Sequence, residues 1–415
     1  MEKALVLVVL LALGANSEFS GYKVYKVTPK TQDHVKFLRG LSDETYFDFL
    51  KHPRSLGDYG DIMVAPEVQG FFETMLRGFS GTGLEFNVTI DDVQRALEED
   101  KQEPSPRDDS LFTSFQSHAD MNAYLRTLEL RFPQVVKVVS IGKSYEGRDL
   151  LVIKIGSGDP NLPTIFVDAG IHAREWIAPP AALYIINQLL ENPANVRLYQ
   201  NVNWHIIPSL NPDGYEFSRS TTSNRLWRKT RQPNAGSTCF GADPNRNFDY
   251  YWMYAGASSA PCSDVFAGPV AFSEPETAAV AAHILENRNT IKLYLSFHSY
   301  GNMMLYPWGY TSALPENAAE LQWLGEQASA AIERASTIGS QYVTGSSTNV
   351  LYEAAGGSDD WVKGVAGVSL AYTIELPAGG IFGFNPPERS ILPMVQETFE
   401  GIRVFHDYIE RKYVV

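Results

Sequence analysis

From about residue 111 onward the chain alternates short, very apolar segments with long amphipathic ones, and few architectures accept that order. Residues 150–156, 164–170, 203–210, 291–297 and 369–376 are nearly continuous apolar runs, as expected of strands covered on both faces. Helices are predicted after Ser117, where Met121, Tyr124, Leu125 and Leu128 share one side, and after Ser273, where Ser273-Glu-Pro-Glu276 has capping-box spacing. Residues 316–335 and 394–412 supply two more. Strands and helices alternating in this way predict one α/β domain: a mixed, mostly parallel sheet with helices on both faces.

The first hundred residues have a different rhythm. Residues 22–28, 62–65 and 84–90 read as strands, and 33–41, 66–79 and 91–99 as short helices, which predicts a small α+β open sandwich with two helices on one face of a sheet. A charged stretch with two prolines, residues 98–110, separates the two regions and reads as an exposed linker; Lys101 and Arg107 within it suit a trypsin-like protease. At the start, Glu2 and Lys3 precede an apolar run from Ala4 to Leu13, followed by small residues at Ala15 and Ser17. This is the pattern of a signal peptide, not of a spanning helix. The expected organisation is therefore a signal peptide over 1–17, an N-terminal domain over 18–107 and a main domain over 108–415.

A secreted, extracellular chain forms disulfides, and Cys239 and Cys262 are the only two cysteines, so they are expected to pair. Asn87-Val-Thr89 is a glycosylation sequon. With 34 basic against 48 acidic residues the net charge is −14, a poor match to nucleic acid or to an anionic membrane, and neither is expected as a partner once the signal is removed. The chain is read as a monomer.

In open α/β sheets, ligands bind beyond the carboxyl ends of strands. The polar residues just after the predicted strands are His172, Asn211 with Asp213, His298 and Glu375. His172, Glu175 and His298 offer the nitrogen and oxygen donors that zinc prefers, with a fourth position left for water. The spacing His-x-x-acid is weak by itself. A second example, His283-Ile-Leu-Glu286, lies in an Ala-rich helix and reads as a surface pair. Among Arg225, Arg228, Lys229 and Arg231, the residues alone predict a solvated basic face. There is no Gly-x-Ser-x-Gly, phosphate loop or dinucleotide fingerprint.

Seven ordered motifs go further: His172-Ala-Arg-Glu-Trp176, Arg228 in Leu-Trp-Arg-Lys-Thr, Asp243-Pro-Asn-Arg-Asn247, His298-Ser-Tyr300, Tyr306-Pro-Trp-Gly-Tyr310, Tyr352 before Gly356-Gly-Ser-Asp-Asp-Trp361, and Glu375. Together they resemble the zinc metallocarboxypeptidases of the pancreatic A/B type over nearly the whole chain. The resemblance implies one Zn2+ on His172, Glu175 and His298, with Glu375 as general base and Arg228 facing the oxyanion. It implies that Asn245, Arg246 and Tyr352 hold the free C-terminal carboxylate of a peptide substrate, with Arg174, Tyr300 and Phe384 as further substrate contacts. Residues 18–107 become an activation segment, cut at Arg107 by a trypsin-like protease. Asp359 falls at the base of the side-chain pocket, where B-type members carry aspartate, which implies release of C-terminal Arg and Lys. Two alternatives stay open: apolar, A-type specificity, or a catalytically silent relative that only binds peptide C-termini. The chain also departs from vertebrate members, with an uncharged loop after Glu375, one cysteine pair and Ser347 in the pocket lining.

Overall fold

The computed structural model describes residues 19–42, 44–54, 56–100 and 111–414. The proposed signal peptide, the linker residues Lys101 and Arg107, and with them the expected domain boundaries, lie outside the described residues.

The N-terminal unit runs β1 (Lys23–Thr28), α1 (Gln32–Arg39), β2 (Phe47–Lys51), β3 (Gly60–Val64), α2 (Gln69–Gly78), β4 (Glu85–Ile90) and α3 (Val93–Glu99). The four strands form a sheet of order β2-β3-β1-β4, and every pairing is antiparallel. Strand alternation divides its side chains. Tyr25, Val27, Phe47, Phe49, Ile62 and Val64 face Leu38 of α1 and Phe72 and Leu76 of α2. Val24, Leu50 and Met63 point the other way and pack with α3 against Leu226, Phe382 and Phe384 of the main unit. The predicted sandwich is present, with β2 as an addition that the sequence pattern does not announce. Its Phe-Asp-Phe-Leu-Lys sequence carries two charges in five residues, and one of them finds its partner only across the domain interface.

The main unit runs α4 (His118–Arg131), β5 (Val136–Lys143), β6 (Asp149–Ile155), β7 (Thr164–Ala169), α5 (Ala178–Leu190), β8 (Asn203–Ile207), α6 (Pro212–Ser220), α7 (Pro275–Asn287), β9 (Ile291–Ser299), β10 (Met303–Tyr306), α8 (Ala318–Ala335), β11 (Val343–Ser346), α9 (Ser347–Val350), α10 (Ser358–Gly364), β12 (Leu370–Leu376) and α11 (Ile391–Tyr413). Its sheet has the order β11-β10-β12-β9-β7-β8-β6-β5. The central strands β12, β9, β7 and β8 are parallel, while β6 joins β8 and β10 joins β12 antiparallel. Helices α4, α5, α8 and α11 cover one face, and α7 and α10 cover the other. The mixed, mostly parallel sheet with two helical layers is as the sequence predicts. The five predicted strands are the inner ones plus β6; β5 and β11, at the two sheet edges, need no continuous apolar run, while β10 is apolar and buried throughout but only four residues long.

Two local expectations are corrected. Ser117 caps α4 as predicted, its Oγ accepting from the Asp120 N–H at 3.1 Å. The Ser273 capping box does not form: α7 starts later, with Glu274 as its N-cap and Pro275 in its first turn, and Ser273 Oγ instead donates to Glu274 at 2.9 Å and accepts from Asn247. The basic cluster is not a solvated face either. Arg225 and Lys229 are buried, and Arg231 is stacked between Phe217, Trp227 and Phe240. Flat guanidinium groups lie well on aromatic rings, which the count of charges alone does not reveal. The Cys239–Cys262 disulfide is present, with Cα atoms 5.2 Å apart. No helix among the described residues is long and apolar enough to cross a membrane.

Candidate active site and metal centre

The parallel strands bring their carboxyl ends to one edge, where the predicted residues meet. The chain leaves β7 through Gly170, at φ +70°, where a Cβ would approach the Pro179 ring at 3.3 Å and the Ser209 Cα at 3.5 Å. That close turn delivers His172 and Glu175 ahead of α5. His298 and Glu375 are register partners on neighbouring β9 and β12.

The Nδ1 atoms of His172 and His298 are 3.2 Å apart. Glu175 sets one carboxylate oxygen 2.8 Å from His172 Nδ1 and the other 3.2 Å from His298 Nδ1. All three side chains are buried, and their ligand atoms lie within 4.8 Å of one another. His172 Nε2 is 3.1 Å from Asp243 Oδ1. A proton on Nε2 donated to that carboxylate leaves the Nδ1 lone pair turned to the cluster, the arrangement that orients a metal-binding imidazole. Burial and Arg228 hold the His172 imidazole below its ordinary range, in the neutral, ligating form. Two nitrogens and a carboxylate oxygen converging from three directions fit zinc.

Asp243 is the hub that sequence reasoning leaves out of the site. Its other oxygen accepts from Arg228 Nη2 at 2.8 Å and Nε at 3.1 Å, and its Oδ1 also accepts from the Asn245 N–H at 2.8 Å. One carboxylate thereby fixes His172, Arg228 and the turn carrying Asn245 and Arg246. Arg246 is steadied by the Gly256 carbonyl at 2.8 Å and the Asn245 carbonyl at 3.0 Å. Gly356, at φ +75°, lets the chain pass so close that a Cβ there would lie 2.3 Å from the Arg246 carbonyl oxygen. Asn245 Oδ1 then accepts from the Ser358 N–H at 2.9 Å, tying this turn to the start of α10.

A single cavity is lined by His172, Glu175, His298, Glu375 and Arg228, and also by Ser347, Thr373 and Asp359. Asp359 and Asp360 both stand in the first turn of α10 but do different things. Asp360 accepts from the Gly309 and Tyr310 N–H groups at 2.9 and 3.0 Å. Asp359 lines the cavity with its carboxyl raised by burial. Burial also pushes the Glu375 carboxyl up to about 7, only partly opposed by His298 and Arg228.

The N-terminal unit closes this cavity through residues 49–52 and Arg54. Arg174 donates both terminal nitrogens to Asp48, at 2.6 and 3.1 Å, and lies 4.6 Å over the Phe384 ring. His52 sits with its ring centroid 4.0 Å from that of Tyr352. Tyr300 packs edge-on against Phe384 at 4.9 Å. The predicted catalytic, metal and substrate-binding residues all line this cavity, whereas Asn211 and Asp213, also at a strand end, do not: Asn211 caps α6 by accepting from the Gly214 N–H, and Asp213 accepts from Ser144 and Arg148. Asp48 and His52 are additions to the predicted set; the alternation of Phe47 and Phe49, which turns Asp48 away from its own core, is the signal that could have found it. The uncharged loop after Glu375 also acquires a reason: Phe382 and Phe384 form part of the apolar seat under the N-terminal sheet.

Residues 121–401 match the model of the zinc carboxypeptidase family, and residues 25–100 match the carboxypeptidase activation peptide. The chain belongs to the zinc carboxypeptidases. It is 47% identical to carboxypeptidase B of Astacus astacus over 305 residues, covering 73% of this chain and 99% of that one. It is 38% identical to zinc carboxypeptidase A 1 of Drosophila melanogaster over 422 residues, covering 96% and 95%. The crystal structure of carboxypeptidase A from Helicoverpa armigera superimposes with a TM-score of 0.88 at 33% identity, covering 95% of this chain and 98% of that one. With an activation peptide ahead of the catalytic unit, this zinc carboxypeptidase is a zymogen that acts on peptides after proteolysis. The names of its relatives divide between A and B, so the preferred C-terminal residue has to be argued from the pocket.

Proposed function

We propose that the chain is a secreted zymogen, cut at Arg107, whose main domain removes C-terminal Arg and Lys from peptides. The observation that carries the specificity is Asp359, a buried carboxylate on the cavity wall with Asp360 already engaged by backbone N–H groups. Asp359 accepts from backbone N–H groups and from Thr373; a substrate guanidinium or ammonium adds the counter-charge, which a Phe or Leu side chain cannot supply. The Cys239–Cys262 disulfide fits an oxidising, extracellular setting.

His172, Glu175 and His298 would hold the zinc, which supplies an activated water and polarises the scissile carbonyl. Glu375 takes the proton of the attacking water and returns it to the leaving amine nitrogen. Arg228, held by Asp243, presents a fixed cation to the oxygen that becomes negative. Arg246 offers the terminal carboxylate a forked donor beside Asn245 and Tyr352. An internal peptide bond has no carboxylate to present there, so cleavage is confined to the last residue. In the zymogen Arg174 and Tyr352 are already taken by Asp48 and His52.

The test is a pair of peptides differing only in a C-terminal Arg or Phe, assayed before and after trypsin. Arg is expected to be released faster, only after the cut, and not in the presence of a zinc chelator. Faster release of Phe would replace the B-type reading with an A-type one, and bound peptide without hydrolysis would favour the silent relative.

Proton linkage gives a second expected result. Desolvation at the interface, aided by Arg246, Arg228, Arg39 and Arg174, lowers His52 to about 3 when the N-terminal unit is docked. On release the imidazole returns to about 6.5. Docking therefore favours the neutral ring: its contribution is complete above pH 6.5 and is lost as pH falls towards 3. After cleavage, the N-terminal segment is expected to leave the catalytic domain more readily at pH 5 than at pH 7.5, with a slope near tenfold per pH unit at most. His52→Ala is expected to flatten that slope, read as the inhibition constant of the cleaved segment against pH.

A further inference from the structure

Buried polar side chains away from the catalytic residues fall into separate groups. His283 of α7 does not belong to the surface pair that its sequence implies. It is buried, and its Nε2 meets His205 Nδ1 of β8 at 3.3 Å, an ordinary hydrogen bond between two rings that burial keeps neutral. A second group lies directly under the side-chain pocket, and its acid has no part in the chemistry above.

Asp168 of β7, Ser296 of β9 and Thr373 of β12 are register partners, one row below His298 and Glu375 on the same face of the sheet. All three are buried, as is Tyr294, two residues before Ser296 on that face. An acid on an inner strand needs compensation, and Asp168 has it: Oδ1 accepts from Ser296 Oγ at 2.6 Å, and Oδ2 accepts from the Tyr294 hydroxyl. Burial raises its carboxyl to about 6, against the pull of these two hydroxyls and of His298, so it is charged at neutral pH. Asp359 is the acid whose charge adds to that rise. At the other end of the row, Thr373 donates to Asp359, and both of them line the cavity. Asp168 does not; it stands behind the wall.

A carboxylate set back in this way touches no substrate, but its field reaches a cation seated in the pocket, because little water intervenes to screen it. Two acids facing an empty pocket also repel one another, and an arriving guanidinium relieves that repulsion. A neutral side chain of the same shape gains from neither effect.

We propose that Asp168 is a second specificity-determining acid, set behind Asp359 and held by Tyr294 and Ser296, whose charge favours a cationic over a neutral C-terminal side chain without contact. The inference rests on the basic-residue reading of the pocket.

The experiment uses the full chain activated with trypsin and two peptides that differ only in the last residue, arginine or its uncharged isostere citrulline. Wild type is expected to favour the Arg peptide. Asp168→Asn keeps the shape of the side chain and removes its charge. It is expected to raise KM for the Arg peptide about tenfold, with kcat for that peptide and both constants for the citrulline peptide changed by less than about twofold. Tyr294→Phe takes one donor from Asp168 and is expected to move the Arg-to-citrulline ratio the same way by a smaller factor; it carries the test where Asp168→Asn lowers the yield of folded protein. Zinc content is expected to match wild type in both variants. Equal losses on the two peptides would make Asp168 a structural clamp between β7 and β9 and overturn the proposal. An unchanged ratio in both variants would overturn it too, while leaving Asp359 in its place if wild type still favours Arg. A wild type without preference for Arg over citrulline would end the pocket reading and this inference together.

Discussion

Asp359→Ile is expected to reverse the preference for the C-terminal side chain, lowering kcat/KM for Arg roughly a thousandfold while raising it for Phe or Leu about tenfold or more. The first number follows from stranding a cation in a pocket that no longer holds its counter-charge, which costs about 3–5 kcal/mol. The second follows from removing an acid that an apolar side chain desolvates without pairing. Asp359→Asn separates charge from shape. It keeps the volume and a polar tip, so Arg hydrolysis is expected to fall nearly as far, with little gain for Phe. Matched peptides assayed with each variant after trypsin give the three ratios. An Arg-to-Phe ratio that hardly moves in Asp359→Ile would show that selection lies elsewhere in the lining, with Ser347 and Thr373 the next residues to replace.

What the sequence makes legible follows from which interactions are local. The inner strands announce themselves because burial on both faces demands unbroken apolar runs. The metal ligands and Glu375 announce themselves because they stand at the ends of those runs. Asp243 is harder to read as part of the site: nothing in Asp-Pro-Asn states that its two oxygens will be divided between His172 and Arg228. Asp48 and His52 are harder still, since their partners Arg174 and Tyr352 belong to another domain and lie more than a hundred residues away. The same limit hides the true setting of the basic cluster and of His283. In each case a polar side chain reads as solvated because the group that buries it, an aromatic ring or a second histidine, comes from a distant part of the chain.

Glu375→Gln is expected to lower kcat by about 10³- to 10⁴-fold with KM nearly unchanged, because the amide keeps the shape of the carboxyl but cannot accept the proton. Zinc content is expected to stay at the wild-type level, since Glu375 is not one of the three clustered donors. That combination distinguishes loss of the base from loss of the metal, which His298→Ala is expected to produce. The pH profile gives an independent reading. Burial raises the Glu375 carboxyl to about 7 against the pull of His298 and Arg228, and a bound dication draws it lower again. The working form is the carboxylate, so the rate is expected to rise with pH along an acid limb whose midpoint lies below 7 and then to level off. In Glu375→Gln that limb is expected to vanish from whatever activity remains. If the variant kept activity within tenfold of wild type, with the acid limb intact, the proton would have to be taken by another group. Glu175 is engaged by both imidazoles and Asp359 is the acid proposed for the side-chain pocket, so among the acids lining the cavity no other stands ready to replace it.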